Sequence, residues 1–255
     1  MAGIDGGEHV LFGPDGRQYD IFAAVALGIQ RYPLGTQMVM QDGRKYRYAR
    51  AGGAALVVGN LIQASGDNTE TNLTAAANAA GINTITFTAA GTEAANFYAE
   101  GYASISVTPS GGEIYKIKSH LLLASASGQV MNLLENGGLR TALTTTSRVD
   151  LVEHPFKGVI QAPATTITSV PVGVAVSVIA TSGGTGWLQT AGVAAVLTAG
   201  TVIIGNRVVS PTGTAGAVGP ETATATTSDN EVDVGVVMDV AANAAWSTIF
   251  LRLDF

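Results

Sequence analysis

Asn83-Thr84-Ile85-Thr86-Phe87-Thr88 alternates polar and apolar side chains one by one, and Ser104-Ile105-Ser106-Val107 and Ile114-Tyr115-Lys116-Ile117-Lys118 do the same. Successive side chains of an extended chain point to opposite faces, so a period of two marks a strand with one face buried and one wet. Further along, Asp233 to Val240 and Thr248 to Leu253 read as the last two strands. Towards the N-terminus, Thr36 to Met40 and Arg44 to Arg50 flank Gln41-Asp42-Gly43, a turn sequence whose glycine accepts positive φ, and together they read as a hairpin. His9 to Phe12 and Arg17 to Phe22 flank Gly13-Pro14-Asp15-Gly16 in the same way. Helix signals are few. The Ala-rich Asn68 to Ala80, with polar residues able to cap it and Gly81 placed to end it, predicts a short helix, and Asn136 to Thr146 predicts a turn or two more. The expected fold is mainly β, built of short-stranded barrel or sandwich domains with little helix.

Composition agrees with this class. Gly 32 and abundant Ala, Val and Thr at 13% charged residues fit strands joined by many turns. The charge is unevenly spread: from Gly158 to Ser228 the only charged side chains are Arg207 and Glu221. A soluble surface is normally kept wet by Lys, Arg, Asp and Glu, so this run must be covered by something or solvated by hydroxyls and backbone. The change falls between Ser147 and Pro163, with Pro155 and Pro163 as punctuation, and divides the chain into a β-rich domain over 1–150 and a near-neutral one over 151–255. A net charge of −6 argues against a general nucleic-acid binder. The absence of cysteine excludes a disulfide framework and a thiolate metal site. The first residues lack the basic and apolar regions of a secretory signal, and the most apolar stretches, such as Val170 to Ala180, are about half the length a membrane span needs. No membrane partner is expected. Two internal echoes, Asp-Gly-Arg at 15–17 and 42–44, and Val57-Val58-Gly59-Asn60 against Ile203-Ile204-Gly205-Asn206, read as chance similarities between hairpins.

Residues able to do chemistry are sparse. His9, His120 and His154 each stand alone in sequence, without the spacing of a metal site. There is no Gly-x-Ser-x-Gly elbow, phosphate loop or His-Glu-x-x-His motif, and Gly213 to Gly219 reads as a loop. Asp67 to Glu70 and Ser228 to Asp233 gather oxygens of the kind Ca²⁺ takes, but neither follows the EF-hand pattern, and both read as solvated loops. Glu93, Glu100, Glu113 and Glu135 offer carboxylates for a hydrolase pair, yet their expected place is on solvated strand ends. No catalytic residue, metal or cofactor is expected. The one concentrated feature is basic: Arg44-Lys45-Tyr46-Arg47-Tyr48-Ala49-Arg50 holds four of the 13 Lys and Arg and interleaves two tyrosines. On a strand, Arg44, Tyr46, Tyr48 and Arg50 face one way and Lys45 and Arg47 the other. Such a face can stack bases, pair with an acidic protein surface, or guard an edge strand by its charge. The negative net charge favours the protein partner.

Three blocks carry a resemblance: Phe97-Tyr98-Ala99-Glu100-Gly101-Tyr102, then Glu113 to His120, then Leu139-Arg140-Thr141-Ala142-Leu143 on to Ser147. With Pro171-Val172-Gly173-Val174, Trp187-Leu188-Gln189-Thr190, Ala215 to Val218 and Ser247 to Leu253, the chain from about Gly35 onward resembles structural proteins encoded among the head genes of tailed bacteriophages, particularly marine ones. The resemblance implies a capsid decoration, or cement, protein. Such a protein is a β-rich subunit made in the bacterial host's cytoplasm that sits on the outer capsid surface of the virion, often as a trimer, and bridges major capsid subunits. It brings no catalytic residues. Under this reading 1–150 contacts the major capsid protein through Arg44, Lys45, Tyr46, Arg47, Tyr48 and Arg50, and 151–255 trimerises with Trp187 and Trp246 near buried contacts. The competing expectation is a phage tail or surface adhesin, in which Tyr46, Tyr48, Tyr98, Tyr102 and Trp187 stack on glycans.

Overall fold

A computed structural model of the chain describes residues 21–22, 29–66, 70–180, 182–221 and 231–254. Among the described residues there is no helix, and the strands form two curled antiparallel sheets. In chain order they are β1 (Gln37–Val39), β2 (Lys45–Arg50), β3 (Leu61–Gln63), β4 (Leu73–Thr74), β5 (Thr84–Thr88), β6 (Tyr102–Ile105), β7 (Ile114–His120) and β8 (Gly128–Leu133). There follow β9 (Arg148–Val152), β10 (Ile160–Gln161), β11 (Pro171–Ala175), β12 (Thr185–Leu197), β13 (Arg207–Ser210), β14 (Gly219–Pro220), β15 (Val232–Asp239) and β16 (Trp246–Arg252). The mainly β expectation holds.

The chain forms two compact units, one of Gly66–His154 and one of Met1–Ser65 with Pro155–Phe255. The division expected at 150/151 therefore differs from the observed one in where the first 65 residues belong. The composition change does mark a real crossing, beside Pro155, but β2 and β3 hydrogen-bond to β12 and β11 and so belong with the neutral half. Composition is read along the chain, whereas strand pairing joins residues far apart in it. The inserted unit leaves and re-enters the sheet at adjacent strands, since β3 pairs with β10 through Gln63 and Ile160. Its own first and last strands, β4 and β9, also pair, Leu73 against Val149. Both ends of the insertion are thus pinned side by side, the arrangement that lets a domain sit inside another.

The inserted unit is a six-stranded sheet in the order β4-β9-β6-β7-β8-β5. Its inward residues are those the alternation marks, Ile85 and Phe87, Ala103 and Ile105, Tyr115 and Ile117, Val149 and Leu151, all buried in one apolar cluster. The sheet curls until its end strands touch: Ala75 bridges Phe87, and the Ala76 N–H donates to the Thr86 carbonyl at 2.8 Å. Asn78 extends that contact with its side chain. Its Oδ1 accepts from the Thr86 N–H at 3.1 Å and its Nδ2 donates to the Thr86 carbonyl at 3.2 Å, so the carboxamide replaces a strand neighbour. The helix expected over Asn68 to Ala80 is not formed in the described part of that segment, which holds β4 and bridges at Ala75 and Asn78. Leu73 and Ala75 alternate into the core, and helix propensities of at most about 1 kcal/mol per residue yield to such pairing. Asn136 to Thr146 is turns and a bridge from Leu143 to Asn78.

In the other unit β12 is the organising strand. Its first half, Thr185 to Ala191, pairs with β2, and its second half, Ala191 to Leu197, pairs with β16. Ala191 pairs with both, and next to it Gly192 has a φ of +83° that suits glycine and an absent Cβ that would lie 3.0 Å from the Arg44 backbone. Apolar residues of β12, β13, β15 and β16 form one buried cluster, including Val196, Val208, Val234 and Ile249. Tyr46, Tyr48 and Trp187 form another with Met38. The hairpin at Gln41-Asp42-Gly43 is present, with Val39 opposite Lys45. The earlier one at Gly13 to Gly16 lies outside the described residues.

Candidate interaction surfaces

β2 is flanked on both sides, by β1 and β12, so its charges do not guard a sheet edge. Tyr46 and Tyr48 are 0% and 1% exposed, which removes them from any contacting face of the folded unit. Tyr48 lies opposite Trp187 with ring centroids 5.2 Å apart, Tyr32 closes the group at 5.2 Å from Tyr48, and the Tyr48 hydroxyl donates to Thr185 Oγ1 at 2.6 Å. The alternation of the basic run was legible, but which face is buried was not: the tyrosine face lies in the core.

Three of the four cations are engaged within the subunit. The Arg47 guanidinium holds Asp254 through two bonds, Nε to Oδ2 at 2.7 Å and Nη2 to Oδ1 at 3.1 Å, and donates a third to the Gly35 carbonyl at 3.0 Å. This bond to Arg47 draws the Asp254 carboxyl below its ordinary value, against a smaller opposing effect of burial. Arg44 pairs across the hairpin turn with Asp42 at 2.6 Å, and Arg50 donates to Gln30. Lys45 is half-buried. Asp254 is the partner that residue reading missed, because no local pattern links it to Arg47.

His120 is 2% exposed and spent on structure: its Nε2 accepts from the Tyr98 N–H at 2.9 Å while Nδ1 lies 2.6 Å from the Leu121 carbonyl, which fixes the proton on Nδ1. His154 stacks against Tyr102 at 6.0 Å, and His9 lies outside the described residues. Glu113 accepts from the Tyr115 hydroxyl and from Thr141, and the Tyr115 bond lowers its carboxyl. Glu135 accepts from the Lys116 N–H at 2.6 Å. Glu70, from the first acidic loop, is 0% exposed and accepts from the Ala90 and Gly91 N–H groups, while residues 67–69 and 228–230 of the two loops lie outside the described residues. Among the described residues no three His, Asp or Glu gather as a metal site. Of the aromatics proposed for glycan stacking, Tyr46, Tyr48, Tyr98 and Trp187 are all buried.

Trp246 is different from Trp187: it is 55% exposed, whereas Trp187 is 2% exposed and belongs to the core of its own subunit. Trp246 opens β16 opposite Leu197 at the end of β12. Its indole lies over Gly59, where any Cβ would meet the ring at 2.3 Å. The Leu197 N–H donates to the Gly59 carbonyl at 2.7 Å, and on the far side the Gly205 N–H donates to Val237 near the end of β15 at 2.9 Å. The two echoing segments thereby converge on one end of the sheet, and they share a turn. The Asn60 N–H donates to Val57 and the Asn206 N–H to Ile203, with Gly59 and Gly205 at φ +78° and +85°. Neither Val57-Val58 nor Ile203-Ile204 is a strand; both pairs are exposed, as are Met238 and Val240. Asp239 is the exposed charge at this end, and Arg207 nearby is paired with Glu221. The repeated Val-Val-Gly-Asn and Ile-Ile-Gly-Asn was the signal that could have revealed this surface. No known protein family, curated protein or solved structure matches the chain.

Proposed function

We propose that this is a virion structural protein that binds the outside of an assembled phage capsid as a trimer and stabilises it by bridging major capsid subunits. The observation that supports the reading is the apolar end around Trp246, which offers several large uncharged side chains to solvent in the unit that also contains the Gly158 to Ser228 run with its two charged side chains. Such a patch is a contact surface more often than a bare one. Its occupant is a second copy of the chain, because a surface with Asp239 as its exposed charge offers an acidic or basic partner little to pair with, while a neighbouring copy brings an equally neutral face. Closed rings of three match the local threefold positions of a capsid lattice. A ligand that binds only the assembled shell shifts its equilibrium by mass action, which is how such a protein would stabilise a head without catalysis.

Purified virions are expected to contain the protein at hundreds of copies in fixed proportion to the major capsid protein; a handful of copies would overturn the reading. Contact with an acidic capsid surface would draw on Lys45 and on Arg44, whose pair with Asp42 lies at the surface, since the bonds of Arg47 and Arg50 are part-buried inside the subunit. The double change Lys45→Glu with Arg44→Glu is expected to lower virion occupancy and leave the circular dichroism spectrum unchanged. Full occupancy would remove both residues from the contact.

A further inference from the structure

Asn136 is the one asparagine of the chain followed by glycine. Asn136 and Gly137 are the central residues of an exposed turn closed by the Gly138 N–H donating to the Glu135 carbonyl at 3.2 Å. Among the described residues no hydrogen bond holds the Asn136 carboxamide or the Gly137 N–H, and the space a Cβ would occupy at Gly137 is open. Asp42-Gly43 is the opposite case. There the Gly43 N–H donates to the Met40 carbonyl at 3.0 Å, and the Asp42 carboxylate is held by the Arg44 Nε at 2.6 Å and the Arg44 N–H at 3.1 Å. Nucleophile and electrophile are both tied at residue 42 and both loose at residue 136.

We propose that Asn136 is a self-modifying site, converting without an enzyme to a mixture of aspartate and isoaspartate. The Gly137 backbone nitrogen attacks the Asn136 side-chain carbonyl carbon. The carbon–Nδ2 bond breaks and ammonia leaves, carrying the proton lost from the backbone nitrogen. Water then opens the five-membered imide at either carbonyl. The net change is loss of ammonia and gain of water, with a new negative charge beside Glu135. Opening on the isoaspartate side puts one more atom into the backbone of a turn that is fixed at both ends. On one side the Leu134 N–H donates to the Lys116 carbonyl at 2.8 Å; on the other the Leu139 N–H donates to Ile82 at 2.9 Å, and Gly138 packs against the Gly81 and Ile82 carbonyls. The lengthened turn cannot keep both anchors, so the inserted unit loosens where its closing segment begins.

The test is to age the full chain at mildly alkaline pH and follow each asparagine and Asp42 by peptide mapping and isoaspartyl methyltransferase labelling. Label is expected first at residue 136, and Gly137→Ala, which fits the open space, is expected to slow it by about tenfold by restricting the backbone. The same ageing in denaturant is expected to bring label to residue 42, which stays unlabelled in the folded chain. Label spread evenly over asparagines that lack a following glycine, an unchanged rate in Gly137→Ala, or native-state label at residue 42 ahead of 136 would each overturn the proposal.

Discussion

Arg47 and Asp254 lie 207 residues apart in sequence and meet through two parallel bonds, the geometry in which guanidinium and carboxylate bind most strongly. The pair ties β2 to the segment after β16, and both side chains are less than a third exposed. Removing the charge in Asp254→Asn leaves the Arg47 guanidinium short of acceptors and is expected to cost about 1–2 kcal/mol, read by denaturant melts. The pH dependence has a definite sign. Asp254 titrates below its ordinary 3.8 in the folded chain, so its contribution is complete above roughly pH 5 and is lost as pH falls through the depressed folded value. Wild type and Asp254→Asn are therefore expected to converge in stability towards the acid end of that window; a constant gap down to pH 2 would mean that the charge of Asp254 contributes nothing.

The elements of the inserted unit depend on a closure made by few groups. Asn78 supplies three side-chain bonds around that seam, to the Thr86 N–H, the Thr86 carbonyl and the Ala76 carbonyl, and it is 5% exposed. Asn78→Ala strands the Thr86 amide and is expected to cost about 1–3 kcal/mol, with Thr86 among the amides whose hydrogen exchange accelerates most. Unaltered exchange at Thr86 would show that the seam closes without the carboxamide. Strands such as Thr84–Thr88 were legible because period two survives in the residue string. The seam was not, since Ala75, Asn78 and Phe87 meet only after the whole sheet has curled. The same distance effect hid the insertion: β3 and β10 are neighbours through hydrogen bonds, and nothing local in either pair of residues announces the other. Tyr46 and Tyr48 were expected on a contacting face and lie in the core; they were misplaced for another reason, because a strand of alternating tyrosines and cations gives its period but not which face turns inward.

For the whole molecule, Trp246 is where packing within the chain can be told apart from the proposed contact between subunits. Its indole covers Gly59, so part of it is structural, yet more than half of the residue faces solvent with Val58, Ile204 and Met238 also exposed at that end. A charge placed there meets water in a monomer and meets apolar surface in an oligomer, where leaving it unpaired is costly. If the proposed trimer forms through this end, Trp246→Glu is expected to convert it to monomer in sedimentation velocity at micromolar concentration, while the far-ultraviolet spectrum stays that of a folded β protein. Trp187→Glu is expected to unfold its unit instead, because Trp187 is enclosed by Tyr32 and Tyr48. Wild type sedimenting as a monomer, or Trp246→Glu sedimenting as the wild type does, would detach the apolar end from assembly. A folded, trimeric Trp246→Glu that still filled virions would leave the capsid reading intact and move the subunit contact to another face, so the two claims fail separately.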